Sequence, residues 1–441
     1  MKKILAILLA GMLTATAFAG CGGGGESEAK GDSGSGDSGL IDPSWPDASL
    51  FGDTKDVTLK VWAPDKAVDL TKKQIEAFKS HYSDVKFNIE VVAQGENDAA
   101  TLIVNDPEKA ADVFGFPSDQ LNKLKDAQVL TEVAPAFAAS VKEYNAEKTV
   151  SSATFNIDGE DKLLAFPETN DNGYYLVYDK TVVKDPATLE GVLADCKAAG
   201  KTFVMDAGNG FYSCIFAFTG GAEIDGFEDD GITQKFKAYE EDDVVDVLMA
   251  FGKLMKDYKG TFQSQDVANI STGFTNKKVG AGIDGTWNSA PDKSALGANF
   301  GAAKLPTVHV KYTKSGEEKD TQIVSMFGYK YIGVNSHTKY QVAAQILAYY
   351  LSGQECQEQR AKEIGWGPSN TEAQKAAGDD PILKAVSEQA NYAVPQVNIA
   401  GTFWSAMGTL GSEMYKDGWN PTDRAATKQL FEKVIANVRD E

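Results

Sequence analysis

Residues 57–62 read VTLKVW, residues 70–82 read LTKKQIEAFKSHY and residues 85–92 read VKFNIEVV. The first segment alternates apolar and polar side chains as a strand does, and the third reads as a second strand. Between them Ile75, Phe78 and Tyr82 share one face of a helix. Strand, helix and strand within about 35 residues make a βαβ unit, whose crossover implies parallel strands. The rhythm continues through ADVFGF (111–116), LNKLKDAQVL (121–130) and a turn at Pro135. After an extended piece, KLLAFPET (162–169), it restarts with the strand YYLVYDK (174–180), a helix over 189–199 and the strand TFVMDA (202–207). Further helices are predicted over 244–258, 341–351 and 425–439. The fold class is α/β.

The N-terminus has a different character. Lys2 and Lys3 precede an apolar run over 4–13, and small residues lead to Phe18, Ala19, Gly20 and Cys21. The apolar run is too short to span a bilayer, so residues 1–20 read as a secretory signal peptide. FAGC resembles the lipobox of bacterial lipoproteins, with Phe18 where Leu is usual, and the resemblance implies acylation of Cys21. The run GGGGESEAKGDSGSGDSG (22–39) has nothing to bury, so residues 21–50 are expected to be a lipidated cysteine and a flexible linker. Two or three acyl chains anchor firmly. The expected location is the extracellular face of the cell membrane, in a Gram-positive cell.

The remaining length suggests two lobes. A net charge of −20 repels nucleic acid and anionic headgroups, which excludes both as partners. Beyond Cys21 there are Cys196, Cys214 and Cys356, an odd number with no CxxC, so no full disulfide framework is available. Nothing in the sequence supports a Cys196–Cys214 bridge, and buried thiols are expected instead. His81, His309 and His337 are scattered, and HExxH and GxSxG are absent. GKT (200–202) lacks the first glycine of a phosphate loop and reads as a helix cap before a strand. The acidic loop DGFEDDG (225–231) lacks the EF-hand register. No metal or cofactor is expected.

Short segments that place an aromatic beside a polar residue recur where strands give way to loops: WAPDK (62–66), FGFPSDQ (114–120), ETNDN (168–172), GNGFYS (208–213), DGTWNS (284–289) and TFWS (402–405). In open α/β sheets ligands lie beyond the carboxyl ends of the strands, so these segments would meet in one cleft. Aromatic faces suit the C–H face of a sugar ring, and Asp, Asn and Lys satisfy hydroxyls.

In these segments the chain resembles the bacterial extracellular solute-binding proteins of ABC sugar transporters, and among them the maltose and maltodextrin-binding proteins. VWAPDK is similar to that family's first strand and loop, which implies hydroxyl binding by Asp65 and Lys66. In ADVFGFPSDQ, Phe116 stands for a stacking Trp, Asp119 keeps an Asp, and Gln120 replaces an Arg. AFPETNDNGYYLVYDK resembles the first interlobe crossover, with Asp171 or Asn172 at a ligand-binding position. GNGFYS implies stacking by Phe211 or Tyr212, with Asn209 where the family has a Glu. VGAGIDGTWNSA implies stacking by Trp287, and VPQVNIAGTFWSAM implies stacking by Trp404. Residues 334–359 and GWGPSN (365–370) resemble the return through the first lobe.

The resemblance implies a two-lobed, type II periplasmic-binding-protein-like fold with the ligand cleft between lobes joined by crossovers. The first lobe would hold residues 55–167 and 325–370, the second 170–320 and 371–441. A monomeric, lipid-anchored sugar-binding protein that closes on a maltodextrin-type oligosaccharide and delivers it to the permease of an ABC importer is the implied function. Another oligosaccharide is the alternative ligand. A surface glycoside hydrolase is the rival class, and it requires two carboxylates flanking one glycosidic bond. The poverty of catalytic motifs favours binding without catalysis.

Overall fold

The computed structural model describes residues 45–439 apart from Ala238. The segment expected to be a signal peptide, Cys21 and the expected linker up to residue 44 lie outside the described residues.

The opening unit forms as its pattern requires. In the strand Asp56–Ala63 the side chains of Val57, Leu59 and Val61 point inward and are buried, while Asp56 and Thr58 face out. Pro64 caps the helix Asp65–His81, which carries Asp65 in its first turn and Lys79 and His81 in its last, each matched to the helix dipole. Its inner face buries Leu70, Ile75 and Phe78 against the sheet. Phe78 is fully buried, so its truncation to alanine is expected to cost about 3–5 kcal/mol. The helix ends at Tyr82, whose hydroxyl donates to the carbonyl of Pro46 at 2.5 Å. Beside it Trp45 stacks on His81 and Tyr350, with ring centroids 4.0 and 4.6 Å apart. The strand Lys86–Ala93 then pairs parallel with Asp56–Ala63, Val57 opposite Phe87.

Two mixed sheets organise the rest. The first runs Ala393–Pro395, Ser325–Val334, Val113–Pro117, Asp56–Ala63 and Lys86–Ala93, with Phe166–Asn172 also paired to Ser325–Val334. The second runs Phe262–Ser264, Thr202–Met205, Val279–Gly285, Tyr174–Asp179 and Phe300–Ala303. The opening βαβ unit is parallel, as its rhythm implies, whereas Tyr174–Asp179 and Thr202–Met205, read as the restart of that rhythm, run in opposite directions on either side of Val279–Gly285. Strands arriving through crossovers reverse direction: Ser325–Val334 pairs antiparallel with Val113–Pro117 and Phe166–Asn172, and Tyr174–Asp179 pairs antiparallel with both of its neighbours.

Among the described residues the chain passes between the sheets three times. Only Gly173 separates Phe166–Asn172 in the first sheet from Tyr174–Asp179 in the second. The chain returns after Phe300–Ala303 to Ser325–Val334, and leaves again after Ala393–Pro395 toward the helix Phe403–Tyr415. The last of these strands lies in the segment expected in the second lobe, yet it pairs with the first sheet. Cys196, Cys214 and Cys356 are buried free thiols, each pushed up to about 12 chiefly by burial. No helix among the described residues is long and apolar enough to cross a membrane.

Candidate functional site

Three ring-bearing segments come together on the side of the second sheet. Asn209 caps the short helix Gly210–Ser213 by accepting a hydrogen bond from the Phe211 amide at 3.0 Å. Gly210 permits the next contact, because a Cβ there would lie 2.0 Å from the carbonyl oxygen of Trp404. Trp404 occupies the first turn of the helix Phe403–Tyr415. Trp287 sits in the 3-10 turn Thr286–Asn288, directly after the strand Val279–Gly285. The centroid of Phe211 lies 5.7 Å from that of Trp287 and 6.1 Å from that of Trp404. All three rings are partly exposed, whereas Tyr212 is buried behind them against Tyr174, at 5.1 Å.

Polar side chains face the rings. Lys66 stands in the first turn of the helix Asp65–His81 and Glu96 opens the helix Glu96–Asn105. Lys330 projects from the strand Ser325–Val334 and pairs with Glu96 at 2.6 Å, its ammonium 4.5 Å from the ring centroid of Trp366. At the floor, Gln396 donates to Asp119 Oδ1 at 2.9 Å and accepts from Asn172 Nδ2 at 2.7 Å. Rings and polar groups together wall a cavity of about 630 Å³, within the range of small-ligand sites.

The charges are tuned by burial. Desolvation of the ammonium and the charge of Lys330 lower Lys66 to about 8, although much of its stem is exposed at the rim. For Lys330 burial pulls downward, but the charge and hydrogen bond of Glu96, with Asp171 and Glu168 behind, turn the net shift upward. Burial raises Asp119 to about 6 against the hydrogen bonds of Gln120 and Gln396. Glu168 rises to about 7 through burial, against the charge of Arg360, which approaches it at 3.4 Å. Among the described residues no three His, Cys, Asp or Glu side chains gather in a metal-holding group.

A second, larger cavity, about 760 Å³, lies on the opposite face of the crossovers. Neighbouring residues of each crossover divide between the two. Asn172, Lys330 and Gln396 face the ring-walled cavity, while Asp171, Tyr329, Pro395 and Val397 face the other. The ring cluster marks the smaller cavity as the candidate site.

The sequence model described as bacterial extracellular solute-binding protein matches residues 73–386, most of the chain. This chain belongs to that family. No curated protein sequence matches it. Among solved structures, this solute-binding protein is similar to the maltodextrin-binding protein of L. casei BL23 without ligand, at 24% identity, with 87% of this chain and 98% of that one covered and a TM-score of 0.72. It is also similar to the maltose-maltodextrin-binding protein of Alicyclobacillus acidocaldarius (20%, 86% and 100%, 0.68) and the Thermus thermophilus maltotriose-binding protein (20%, 86% and 98%, 0.67). These likenesses establish the two-lobed α/β fold.

The solute-binding protein's cavity wall includes Lys66, Asp119, Asn209, Phe211, Tyr212, Trp287 and Trp404, all residues singled out from the sequence. Three others stand elsewhere. Phe116 does not stack in the cavity: it is fully buried in the central strand Val113–Pro117, packed on Phe114 and Tyr331 at 5.5 and 5.9 Å. Asp171 does not face it either, since its carboxylate accepts from the Gly367 amide at 2.5 Å on the other side of the crossover. Its neighbour Asn172 faces the cavity instead. Asp65 is exposed at the helix start and is not part of the wall. Sequence reasoning passed over Glu96, Lys330 and Gln396. Lys330 had a signal: a single charge within SMFGYKYIGV, an otherwise apolar strand, has to find a partner.

Proposed function

We propose that this solute-binding protein captures a maltodextrin-type α-gluco-oligosaccharide between its lobes, remains on the outer membrane face through a lipid on Cys21, and hands the sugar to the permease of an ABC importer. The observation that carries the sugar reading is the cavity itself. Three partly exposed rings, Phe211, Trp287 and Trp404, stand opposite Lys66, Asp119, Asn172 and Gln396. Rings bury the C–H faces of pyranoses while amides, a carboxylate and an ammonium pair with hydroxyls. More than one ring suits more than one sugar unit. The related structures from Staphylococcus aureus and Thermus thermophilus are described with maltose and maltotriose bound, which supports an α-glucan over other oligosaccharides. A sugar touching both lobes favours the closed arrangement, and a permease that recognises closure receives only loaded protein.

Calorimetric titration of the mature, lipid-free monomer with maltose, maltotriose, longer maltodextrins and unrelated oligosaccharides tests this, followed by analysis of the recovered sugar. Micromolar binding of maltodextrins returned intact is the expected result. Binding of only another oligosaccharide overturns the α-glucan assignment, and shortened sugar moves the protein to the glycoside hydrolases. Labelling of the whole chain, but not of Cys21→Ala, by a lipid precursor checks the anchor.

A further inference from the structure

At the base of the Trp287 turn, Asp284 is the last residue but one of the strand Val279–Gly285 and Asp292 lies in the helix Ser289–Leu296. Both are completely buried. Asp284 Oδ1 accepts from the Gly285 amide at 2.7 Å and from Asn288 Nδ2 at 2.8 Å, so it clasps the turn from both ends. The other Asp284 oxygen and both Asp292 oxygens meet no protein donor. The two carboxyl groups are within hydrogen-bonding reach of each other, and that bond needs a proton.

The surroundings supply no compensating cation. Among the described residues neither aspartate is in an ion pair, and the adjacent Lys293 is committed to Asp380 at 2.5 Å. The titratable groups that bear on the pair are Tyr175, whose buried hydroxyl also lacks a partner, Tyr212, Asp266 and, through Tyr175, Asp380. On the far side of the turn stands Lys66. Two adjacent carboxylates without a cation are not tolerated in such a place; one proton converts them into a charge-assisted O–H···O⁻ pair. Burial, then the charge of Asp284, pushes Asp292 up to about 9.

We infer that Asp284 and Asp292 are positioning residues that share one proton, that this proton holds the Trp287 turn in its ligand-ready form, and that its loss in alkaline solution weakens sugar binding. The inference rests on the reading of the cavity as a sugar site. The turn is a junction. Gly285 lets the indole lie against the backbone, since a Cβ there would come within 2.2 Å of the ring. The Trp287 carbonyl accepts from Lys66 at 3.0 Å, and the Thr286 hydroxyl donates to the carbonyl of Asp171 in the first crossover at 2.9 Å. Two like charges at its base would disturb the stacking ring, the contact to the opposite lobe and the crossover together.

Asp292→Asn replaces the shared proton by amide hydrogens that alkali does not remove. Three readouts on the mature chain decide the matter. Without sugar, the thermal midpoint of the wild type is expected to fall from pH 6 to 10, because the folded form keeps a proton that the unfolded chain releases, and to fall less in Asp292→Asn. The emission of Trp287, taken as the difference from Trp287→Phe, is expected to shift over the same range in the wild type only. Maltotriose affinity is expected to weaken between pH 7 and 10 by about tenfold more in the wild type than in Asp292→Asn, the factor one unit of proton affinity represents. Equal pH responses in the two proteins overturn the inference. If maltotriose binds at no pH, the sugar reading fails, while the first two readouts still judge the shared proton. Asp284→Asn, with the same expectations, serves if Asp292→Asn does not fold.

Discussion

The ammonium of Lys66 donates a hydrogen bond to the main-chain carbonyl of Trp287 at 3.0 Å, joining residues 221 positions apart. One partner belongs to the first helix, packed on the first sheet, and the other to a turn on the second, so the bond ties the two walls of the cleft directly. Lys66→Met is expected to weaken maltotriose binding about tenfold, toward the low end for a hydrogen bond to a charged group because the side chain is partly exposed. Burial holds Lys66 down at about 8, so the tie weakens as pH rises through that value. Calorimetry at pH 7 and 9 should therefore show a loss of affinity in the wild type that is smaller in the methionine variant.

Truncating the rings separates ligand contacts from core packing. Trp287→Ala, Trp404→Ala and Phe211→Ala are each expected to lower maltodextrin affinity by about ten- to a hundredfold, from lost ring burial. Phe116→Leu should leave affinity unchanged and cost about 1 kcal/mol of stability, since it repacks a closed core. Titration together with urea unfolding of the four variants checks the division. A large affinity loss in Phe116→Leu would return that ring to the site.

Gln396 holds Asp119 and Asn172 at once. In Gln396→Ala, Asp119 loses a donor that favours its charged form, so its proton affinity should climb beyond about 6. Sugar affinity should fall by about fivefold, the scale of one hydrogen bond. NMR titration of the Asp119 carboxyl, with calorimetry alongside, reads both.

Arg360 faces Glu168 inside the first lobe, and both are nearly inaccessible. Arg360→Met leaves Glu168 buried without its cation, raising it beyond about 7. The folded form then holds a proton that the unfolded chain releases, so the penalty grows with pH. Urea denaturation should show a loss of about 3 kcal/mol at pH 8 and less at pH 5, where the carboxyl is neutral in the folded protein.

What the sequence disclosed followed from local pattern. The helix over 341–351 and the opening βαβ unit are written in spacing that the fold does not override. The rings of Phe211, Trp287 and Trp404 were legible because each stands in a short segment of loop character beside small or polar residues. Phe116 misled because a strand covered on both faces hides an aromatic as readily as a loop displays one. Asp171 and Asn172 show the sensitivity of strand register: a step of one residue exchanges the two faces of the crossover. Gln396 was out of reach, because its partners Asp119 and Asn172 lie 277 and 224 positions away and nothing near it in the chain hints at either.

The discontinuous first sheet also has a consequence in time. Its strand Val113–Pro117 waits for Ser325–Val334, and the bond from the Tyr329 amide to Ser118 closes over 211 positions. For a chain that emerges from its N-terminus at about 5–20 residues per second, that partner arrives on the order of 10–40 s later. Throughout that interval one edge of Val113–Pro117 stands unpaired, an open template for another chain. Rapid completion of residues 325–395 then shortens the time for which that edge is open to another chain.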